Sequence, residues 1–274
     1  MNKDPQQRDR DLAAYSDYDR KRRNKIMIRA IAVTVIALVL VALISAVFIN
    51  KLFVVETLIV DGTERYTFTE IKESSGITDK SVIFFVREKK VENLLKSRYP
   101  YIKEVKLEKD FPSTVNIVIT EEVPKFYFEY DGEYFVITDE MKILEIFKDK
   151  QRMFSRCPDL KHIYLPPIGR AMLSETLELA SDKDTRHIGE LLIAFSGWSE
   201  YDKIDGINME SRFDVYLEYD KRLTLKFGSK KDIGTKLNFA LGILAVYSDQ
   251  AEGTIIIDDI DKAVARVNDP GKKE

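Results

Sequence analysis

Apolar side chains form one long run near the start of the chain. The segment 30–49 contains only Thr34 and Ser45 as polar side chains. As a helix rising about 1.5 Å per residue, it would span about 30 Å, which is the thickness of the hydrocarbon core of a bilayer. The pattern therefore predicts one transmembrane helix, which we place at residues 26–50.

After this run, the apolar spacing predicts a small α+β domain at residues 53–123. A β-branched segment at 54–60 indicates a strand. Thr67 and Glu70 have the spacing of a capping box, which opens a short helix. A second helical period and two strands with alternating apolar positions follow. The predicted order of elements is therefore β-α-α-β-β.

The chain beyond this domain begins with a predicted hairpin. Asp131-Gly132 is a two-residue turn signal between two apolar segments. With that turn, Phe128 pairs with Phe135 and Phe126 pairs with Ile137, so that all four side chains lie on one face.

The second domain, which we place at residues 124–267, combines helical and strand periods. Helical spacing recurs at 188–195 and 233–244, and strand alternation recurs at 213–219 and 223–227. We therefore predict an α+β domain with an antiparallel sheet and flanking helices.

The register of the two strands follows from their apolar faces. Tyr219 must pair with Leu223 across a three-residue loop, because a slip of one residue would turn every side chain to the other face. A further strand is predicted at 254–257, and residues 263–267 extend it as an edge.

Charge determines the predicted orientation in the membrane. Residues 1–29 carry a net charge of +4 and the remainder carries −7. Basic residues stay on the cytoplasmic side, so the N-terminus is predicted to be cytoplasmic and the C-terminus extracytoplasmic. The residues that set this topology are Arg20, Lys21, Arg22, Arg23, Lys25 and Arg29.

A cleaved signal peptide or a lipid anchor is the alternative to this membrane helix. The apolar run is longer than that of a usual signal peptide, and no cysteine follows it directly. The acidic exterior argues against a nucleic-acid partner. Residues 1–25 are polar and predict a disordered cytoplasmic tail, and residues 268–274 predict a flexible one.

Catalytic chemistry has few candidate residues in this sequence. Cys157 is the single cysteine, and His162 and His187 are the two histidines. None of them has metal-ligand spacing to another, and no base or oxyanion partner for Cys157 can be named. No phosphate-binding glycine loop is present. We predict no catalytic residue, metal site or cofactor.

One motif is more specific than these patterns. Lys109-Asp110-Phe111-Pro112-Ser113-Thr114-Val115-Asn116-Ile117 runs into Glu121-Glu122-Val123-Pro124. This string, the β-α-α-β-β order and the position directly after a membrane helix resemble the POTRA domain of the bacterial FtsQ/DivIB cell-division family. The resemblance covers residues 20–268. Lys142 stands where members often have glycine, which leaves the type of that turn open.

The resemblance implies a non-enzymatic scaffold of the division septum. In that family, the second domain captures an FtsB/DivIC-type coiled-coil protein, which is paired with FtsL, and helps to coordinate septal peptidoglycan synthesis. Strand addition at a sheet edge would supply the mechanism. The edge residues that we predict to bind the partner are Thr254, Ile255, Ile256, Ile257 and Asp258.

Two other functional classes remain open at this point. One is a membrane-anchored extracytoplasmic cell-wall enzyme. The other is a POTRA-bearing component of protein transport, although neither POTRA repeats nor a predicted membrane barrel follows here.

Overall fold

The computed structural model describes residues 5–180, 185–259 and 262–271. Its helices are α1 Pro5–Leu52, α2 Phe68–Ser75, α3 Glu88–Arg98, α4 Lys150–Arg156, α5 Arg186–Ser196 and α6 Ile233–Leu244. Its first six strands are β1 Thr57–Asp61, β2 Ile102–Asp110, β3 Thr114–Glu121, β4 Phe126–Tyr130, β5 Glu133–Ile137 and β6 Ile143–Phe147. The others are β7 Lys161–Tyr164, β8 Ile168–Arg170, β9 Glu178–Leu179, β10 Ile204–Asn208, β11 Val215–Tyr219, β12 Leu223–Gly228, β13 Glu252–Asp259 and β14 Lys262–Asn268.

Helix α1 is much longer than the apolar run. Its part Met27–Ile49 has a mean hydropathy of 3.0 and is long enough to cross a membrane. The helix begins at Pro5, so the tail predicted to be disordered is helical from that residue onward. Proline suits the first position of a helix. The following residues include many good helix formers and no glycine, so a helix nucleated in the apolar run extends without a second nucleation step.

The chain folds as two compact units. The first contains the residues up to Ile59 together with Ile77–Arg87 and Leu107–Ile117. The second contains Val60–Gly76, Glu88–Lys106 and the residues from Val118 onward. The strands of the small sheet have the order β1-β3-β2, and the elements follow the predicted β-α-α-β-β order along the chain.

In the first unit, the chain that leaves α1 is fixed by main-chain hydrogen bonds. Val55 donates to the carbonyl of Ser81 at 2.8 Å, and Ile83 donates to the carbonyl of Phe53 at 2.8 Å. These bonds attach the segment after α1 to a short 3-10 turn, Ile83–Phe85.

In the second unit, α2 has the predicted capping box. The Glu70 carboxylate accepts a hydrogen bond from the Thr67 N–H at 2.8 Å, and the Thr67 hydroxyl oxygen accepts one from the Glu70 N–H. The hydrogen bonds that the Thr67 N–H and hydroxyl donate to the Glu70 carboxylate lower the pKa of that carboxyl. The helix ends at Gly76, whose φ of 71° lies in the left-handed region that glycine favours.

Lys142 connects the chain before residue 124 to the chain after it. Its ammonium group donates to the Glu122 carboxylate at 3.1 Å and to the carbonyl oxygen of Ile102 at 3.1 Å. The left-handed residue of this turn is Met141, with a φ of 65°, so the turn does not need glycine at position 142. Because such bonds cross residue 124, the chain on both sides of it belongs to one unit.

A nine-stranded sheet forms the centre of the second unit. Its strand order is β14-β13-β12-β11-β10-β7-β4-β5-β6. The predicted α+β class is confirmed, but the sheet is mixed and not antiparallel throughout. Strand β7 pairs in parallel with β4 and β10, and β12 pairs in parallel with β13. Each of these parallel pairs is joined by a crossover that contains a helix, as parallel neighbours require.

One face of this sheet carries the main core. The four hairpin residues Phe126, Phe128, Phe135 and Ile137 are buried there, with Phe128 opposite Phe135 and Phe126 opposite Ile137, which confirms the predicted register. The buried side chains that α5 and α6 contribute to this core are Ile188, Leu191, Leu192, Phe195, Leu237 and Ala240.

The second predicted register is also confirmed. Tyr219 pairs with Leu223, and Asp220 and Lys221 have φ values of 54° and 57° in the connecting loop. Strand β11 begins at Val215, two residues later than predicted. Phe213 lies before it and is 82% exposed. Strands β7 and β10 and helix α4 were not predicted.

Replacing Lys142 tests the connection across residue 124. The side chains of Lys142 and Glu122 are only 19% and 9% exposed. Lys142→Met should therefore lower the free energy of unfolding by about 2–4 kcal/mol, because it leaves a largely buried carboxylate without its cation. Chemical denaturation of the detergent-solubilised chain, followed by the fluorescence of Trp198, measures this change.

The double variant Lys142→Met with Glu122→Leu is the matched control. It removes both charges and should recover most of the lost stability. An equal loss in the single and double variants would show that the ion pair does not cause the destabilisation.

Candidate functional site

The predicted partner-binding residues lie in β13, which is not an edge strand. Residues 223–226 of β12 pair with Gly253–Ile256 on one side, and β14 pairs with β13 on the other. Ile255 and Ile257 are fully buried in the main core, while Ile256 is half-buried. The prediction that Thr254–Asp258 form the open edge is therefore wrong, because β13 lies between β12 and β14 and Thr254–Ile256 pair with both of these strands.

Asp258 lies beside a buried cation. Lys236 on α6 is 3% exposed, and its ammonium group donates to the carbonyl of Phe227 at 2.7 Å. Burial lowers the pKa of Lys236, and the negative charges of Asp258 and Asp232 oppose this effect. The contribution of Asp258 that these contacts reveal is therefore electrostatic and internal to the fold.

The edge of the sheet is β14. Its pairing places Ala265 opposite Ile255 and Val264 opposite Ile256, with an irregularity before Asp259. The expectation that residues 263–267 form an edge is confirmed. Only Val267 of this strand packs against the main core, and the other residues of β14 are exposed.

Glycine allows β14 to approach β13 closely. Gly253 has a φ of 143°, and a Cβ atom there would overlap with the carbonyl oxygen of Arg266. The same C-terminal end of β14 is also held by Asp269, whose carboxylate accepts a hydrogen bond from the N–H of Ser248 at 3.1 Å and another from its hydroxyl. The edge strand is thus fixed at its C-terminal end.

Strand β6, at the opposite edge of the large sheet, is partly covered. Ile143 donates to the carbonyl of Glu175 at 2.9 Å and accepts from the N–H of Ser174 at 2.9 Å. These bonds occupy the start of β6. Among the strands that the structure describes in this sheet, β14 therefore offers the longer open edge, with one row of main-chain N–H and C=O groups.

The candidate catalytic residues do not form a catalytic arrangement. Cys157 is 4% exposed, and burial raises the pKa of its thiol, which disfavours the nucleophilic thiolate. The His162 ring stacks on Tyr127 at 4.8 Å and contacts Tyr164 at 4.2 Å, and burial lowers its pKa. No hydrogen bond joins Cys157 to His162 within the described residues.

His187 lies apart, at a cavity of about 710 Å³. The charged residues that line this cavity include one carboxylate, that of Glu190, which pairs with Lys230 at 2.6 Å. The basic residues around it are Arg186, Arg212, Lys230 and Lys231. Among the described residues, no group of three or more histidine, cysteine, aspartate or glutamate side chains could hold a metal ion.

The reactivity of Cys157 tests whether its thiol is buried and protonated in the native chain. In the native chain, iodoacetamide should alkylate Cys157 at least about tenfold more slowly than in the urea-unfolded chain, because the buried thiol is protonated and inaccessible. Mass spectrometry measures both rates. Val246→Cys in a Cys157→Ser background provides the control, since Val246 is 60% exposed. A native Cys157 that reacts as fast as this control thiol would contradict the assignment.

Comparison with known proteins gives results that agree with this fold. The family model for FtsQ-type POTRA domains matches residues 53–122. A cell division protein DivIB of Clostridium botulinum strain Hall is 24% identical over 191 residues, which cover 69% of this chain and 72% of that protein. A DivIB of Clostridium acetobutylicum is 25% identical over 194 residues, covering 69% of this chain and 73% of the relative.

Proposed function

The chain belongs to the FtsQ/DivIB family of bacterial cell-division proteins, and we propose that it is a membrane-anchored, non-enzymatic scaffold that binds its partner by strand addition. The partner would be an FtsB/DivIC-type coiled-coil protein, itself paired with an FtsL-type protein. Holding that pair outside the membrane would help to coordinate septal peptidoglycan synthesis. The observation that carries the proposal is the open edge of β14.

The anchor in this proposal is α1, with its N-terminus in the cytoplasm. Two features support that orientation: the apolar segment Met27–Ile49 and the basic residues that precede it. Because basic flanks stay inside, the residues that follow α1 would lie on the extracytoplasmic side, at the division septum. Neither nucleic acid nor a cofactor has a role in this proposal.

The edge of β14 has the properties that strand addition requires. It spans the seven residues Lys262–Asn268, and its outer main-chain groups can bond an added strand. Lys262, Val264 and Arg266 alternate along one face, and Val264 is 55% exposed. An added strand with acidic side chains opposite Lys262 and Arg266, and an apolar one opposite Val264, would match this face.

The edge of the small sheet is a weaker candidate for the same partner. Strand β2 lies at one edge of that sheet. Six of its nine residues are charged, against two of seven in β14, and charged side chains on an edge strand discourage pairing with another chain. We therefore assign partner capture to β14.

Proline substitution in β14 tests strand addition. Proline removes one N–H group, and the N–H groups of adjacent residues in a strand point to opposite sides. Of Val264→Pro and Ala265→Pro, one should keep the fold and weaken partner binding about tenfold or more, since it removes an outward main-chain bond and adds a steric clash. The other should break pairing with β13 and lower the melting temperature.

Calorimetric titration with the soluble part of the coiled-coil pair measures the affinity, and circular dichroism measures stability. Val264→Thr and Ala265→Ser keep both N–H groups and are the matched controls. Unchanged affinity in the proline variant that keeps its fold would refute capture at this edge.

A complementation experiment tests the scaffold against the enzyme alternative. In cells depleted of the native protein, an N-terminal fluorescent fusion should form a band at midcell and restore division. Replacing Cys157, His162 and His187 together by alanine should leave both results unchanged. A stable triple variant that localises to midcell but does not restore division would favour catalysis, and uniform membrane fluorescence would contradict a septal role.

A further inference from the structure

Three phenylalanine rings cluster directly after α1, within the first unit. The ring centroids of Phe53 and Phe84 lie 4.9 Å apart, those of Phe84 and Phe111 lie 5.1 Å apart, and those of Phe53 and Phe111 lie 6.4 Å apart. Phe85 follows in the same 3-10 turn as Phe84. We call these four residues the phenylalanine cluster.

Hydrogen bonds of the main chain fix the cluster to the end of the membrane helix. The N–H of Phe53 donates to the carbonyl of Ile49 at 3.1 Å, which continues the helical pattern of α1 by one residue. The carbonyl of Phe53 in turn accepts from the N–H of Ile83 at 2.8 Å. Ile83 is fully buried, so it anchors the turn that carries Phe84 and Phe85.

The length of the helix determines the depth of the cluster in the bilayer. The apolar segment of α1 ends at Ile49, and the four residues to Phe53 rise only about 6 Å. The headgroup region on each side of the hydrocarbon core is about 5–7 Å thick. With α1 crossing the bilayer, Phe53 would lie in the headgroup region, and the rings of Phe84 and Phe111, within 6.4 Å of the Phe53 ring, would lie in or next to it.

The cluster is exposed on its outer side. Phe84 is 50% exposed, Phe85 is 74% exposed and Phe111 is 51% exposed. Such an apolar patch is unfavourable in water, but aromatic side chains are stable at the boundary between lipid and water.

The charges beside the cluster fit lipid headgroups. Three basic residues, Lys51, Arg87 and Lys109, lie within two positions of a cluster member along the chain, against one acidic residue, Asp110. Lys109 donates to the carbonyl of Val86 at 2.6 Å. Lys109 is therefore held within the fold, whereas Lys51 and Arg87 can extend toward phosphate groups while the rings enter the lipid.

We propose that the phenylalanine cluster inserts into the headgroup region of the leaflet at which α1 ends. The cluster thereby holds this end of the small sheet against the membrane. A second attachment to lipid restricts the rotation of the first unit about the axis of α1. This inference rests on the proposed membrane anchoring of α1 and not on strand addition by β14.

Tryptophan fluorescence in nanodiscs tests the insertion. Trp198 is the single tryptophan, so Phe85→Trp in a Trp198→Phe background reports on the cluster alone. The full chain is placed in phosphatidylcholine nanodiscs with bromine either near the headgroup end of the acyl chains or near the bilayer centre. Emission from Phe85→Trp should fall about twofold with the shallow bromines and much less with the deep ones, as expected for a ring at the interface.

Two matched variants define the scale of this experiment. Phe213→Trp replaces a phenylalanine that is 82% exposed and lies outside the cluster, and it should show no quenching. Leu38→Trp lies in the membrane segment and should be quenched by the deep bromines. Adding Phe84→Ser and Phe111→Ser to the Phe85→Trp variant should reduce the shallow quenching at least about twofold, because two of the inserting rings are lost.

Each outcome supports or overturns the proposal. Equal emission from Phe85→Trp and Phe213→Trp, with Leu38→Trp quenched, would show that α1 crosses the bilayer while the cluster stays in water. An unquenched Leu38→Trp would overturn both the anchor and the insertion. The experiment contains no partner protein, so its result is independent of partner capture by β14.

Discussion

The crossover through α6 determines which strand of the large sheet is open to a partner. Two parallel neighbours cannot be joined by a tight turn, so the chain leaves β12, forms α6 over the main core and returns as β13. Leu237 and Ala240 bury α6 against that core, and Ile255 and Ile257 bury β13 beneath it. The chain then reverses into β14, which consequently lies at the outside of the sheet.

A second set of contacts connects the chain before residue 124 to the chain after it. Lys142 bonds to Glu122 and to the Ile102 carbonyl. Tyr101 adds a hydrogen bond of 3.0 Å to Glu145, and the guanidinium of Arg65 lies 3.7 Å from the centre of the Tyr101 ring. Burial, with the negative charge of Glu145 that accepts this bond, raises the pKa of Tyr101 far above its usual value, so the phenol stays protonated and can donate it. These contacts make the second unit larger than the domain predicted at residues 124–267.

Local sequence signals predicted much of this fold because they act over a few residues. The capping box at Thr67, the turn at Asp131-Gly132 and the loop between Tyr219 and Leu223 are all present. Each follows from backbone geometry or from the two-residue period of a strand. The apolar run likewise predicted the segment of α1 that is long and apolar enough to cross a membrane.

The position of a strand within a sheet depends on contacts between distant residues, which periodicity does not encode. Ile255 and Ile257 gave a clear alternating pattern, but that pattern reports burial and not whether a neighbour lies on each side. The sequence did contain a usable signal, since the strand, helix and strand at residues 223–259 favour a parallel crossover with β13 beside β12. No such signal exists for the contacts of Lys142, because its partners Ile102 and Glu122 precede it by 40 and 20 residues.

The direction of β14 would have a mechanical consequence for the proposed strand addition. A strand added to this edge would lie along the strand axis of a nine-stranded sheet. Tension along that axis would load all the new main-chain bonds in shear, so that they would have to fail together and not one after another. Bonds loaded together in this way would resist a pulling force far better than an equal number of bonds opened from one end.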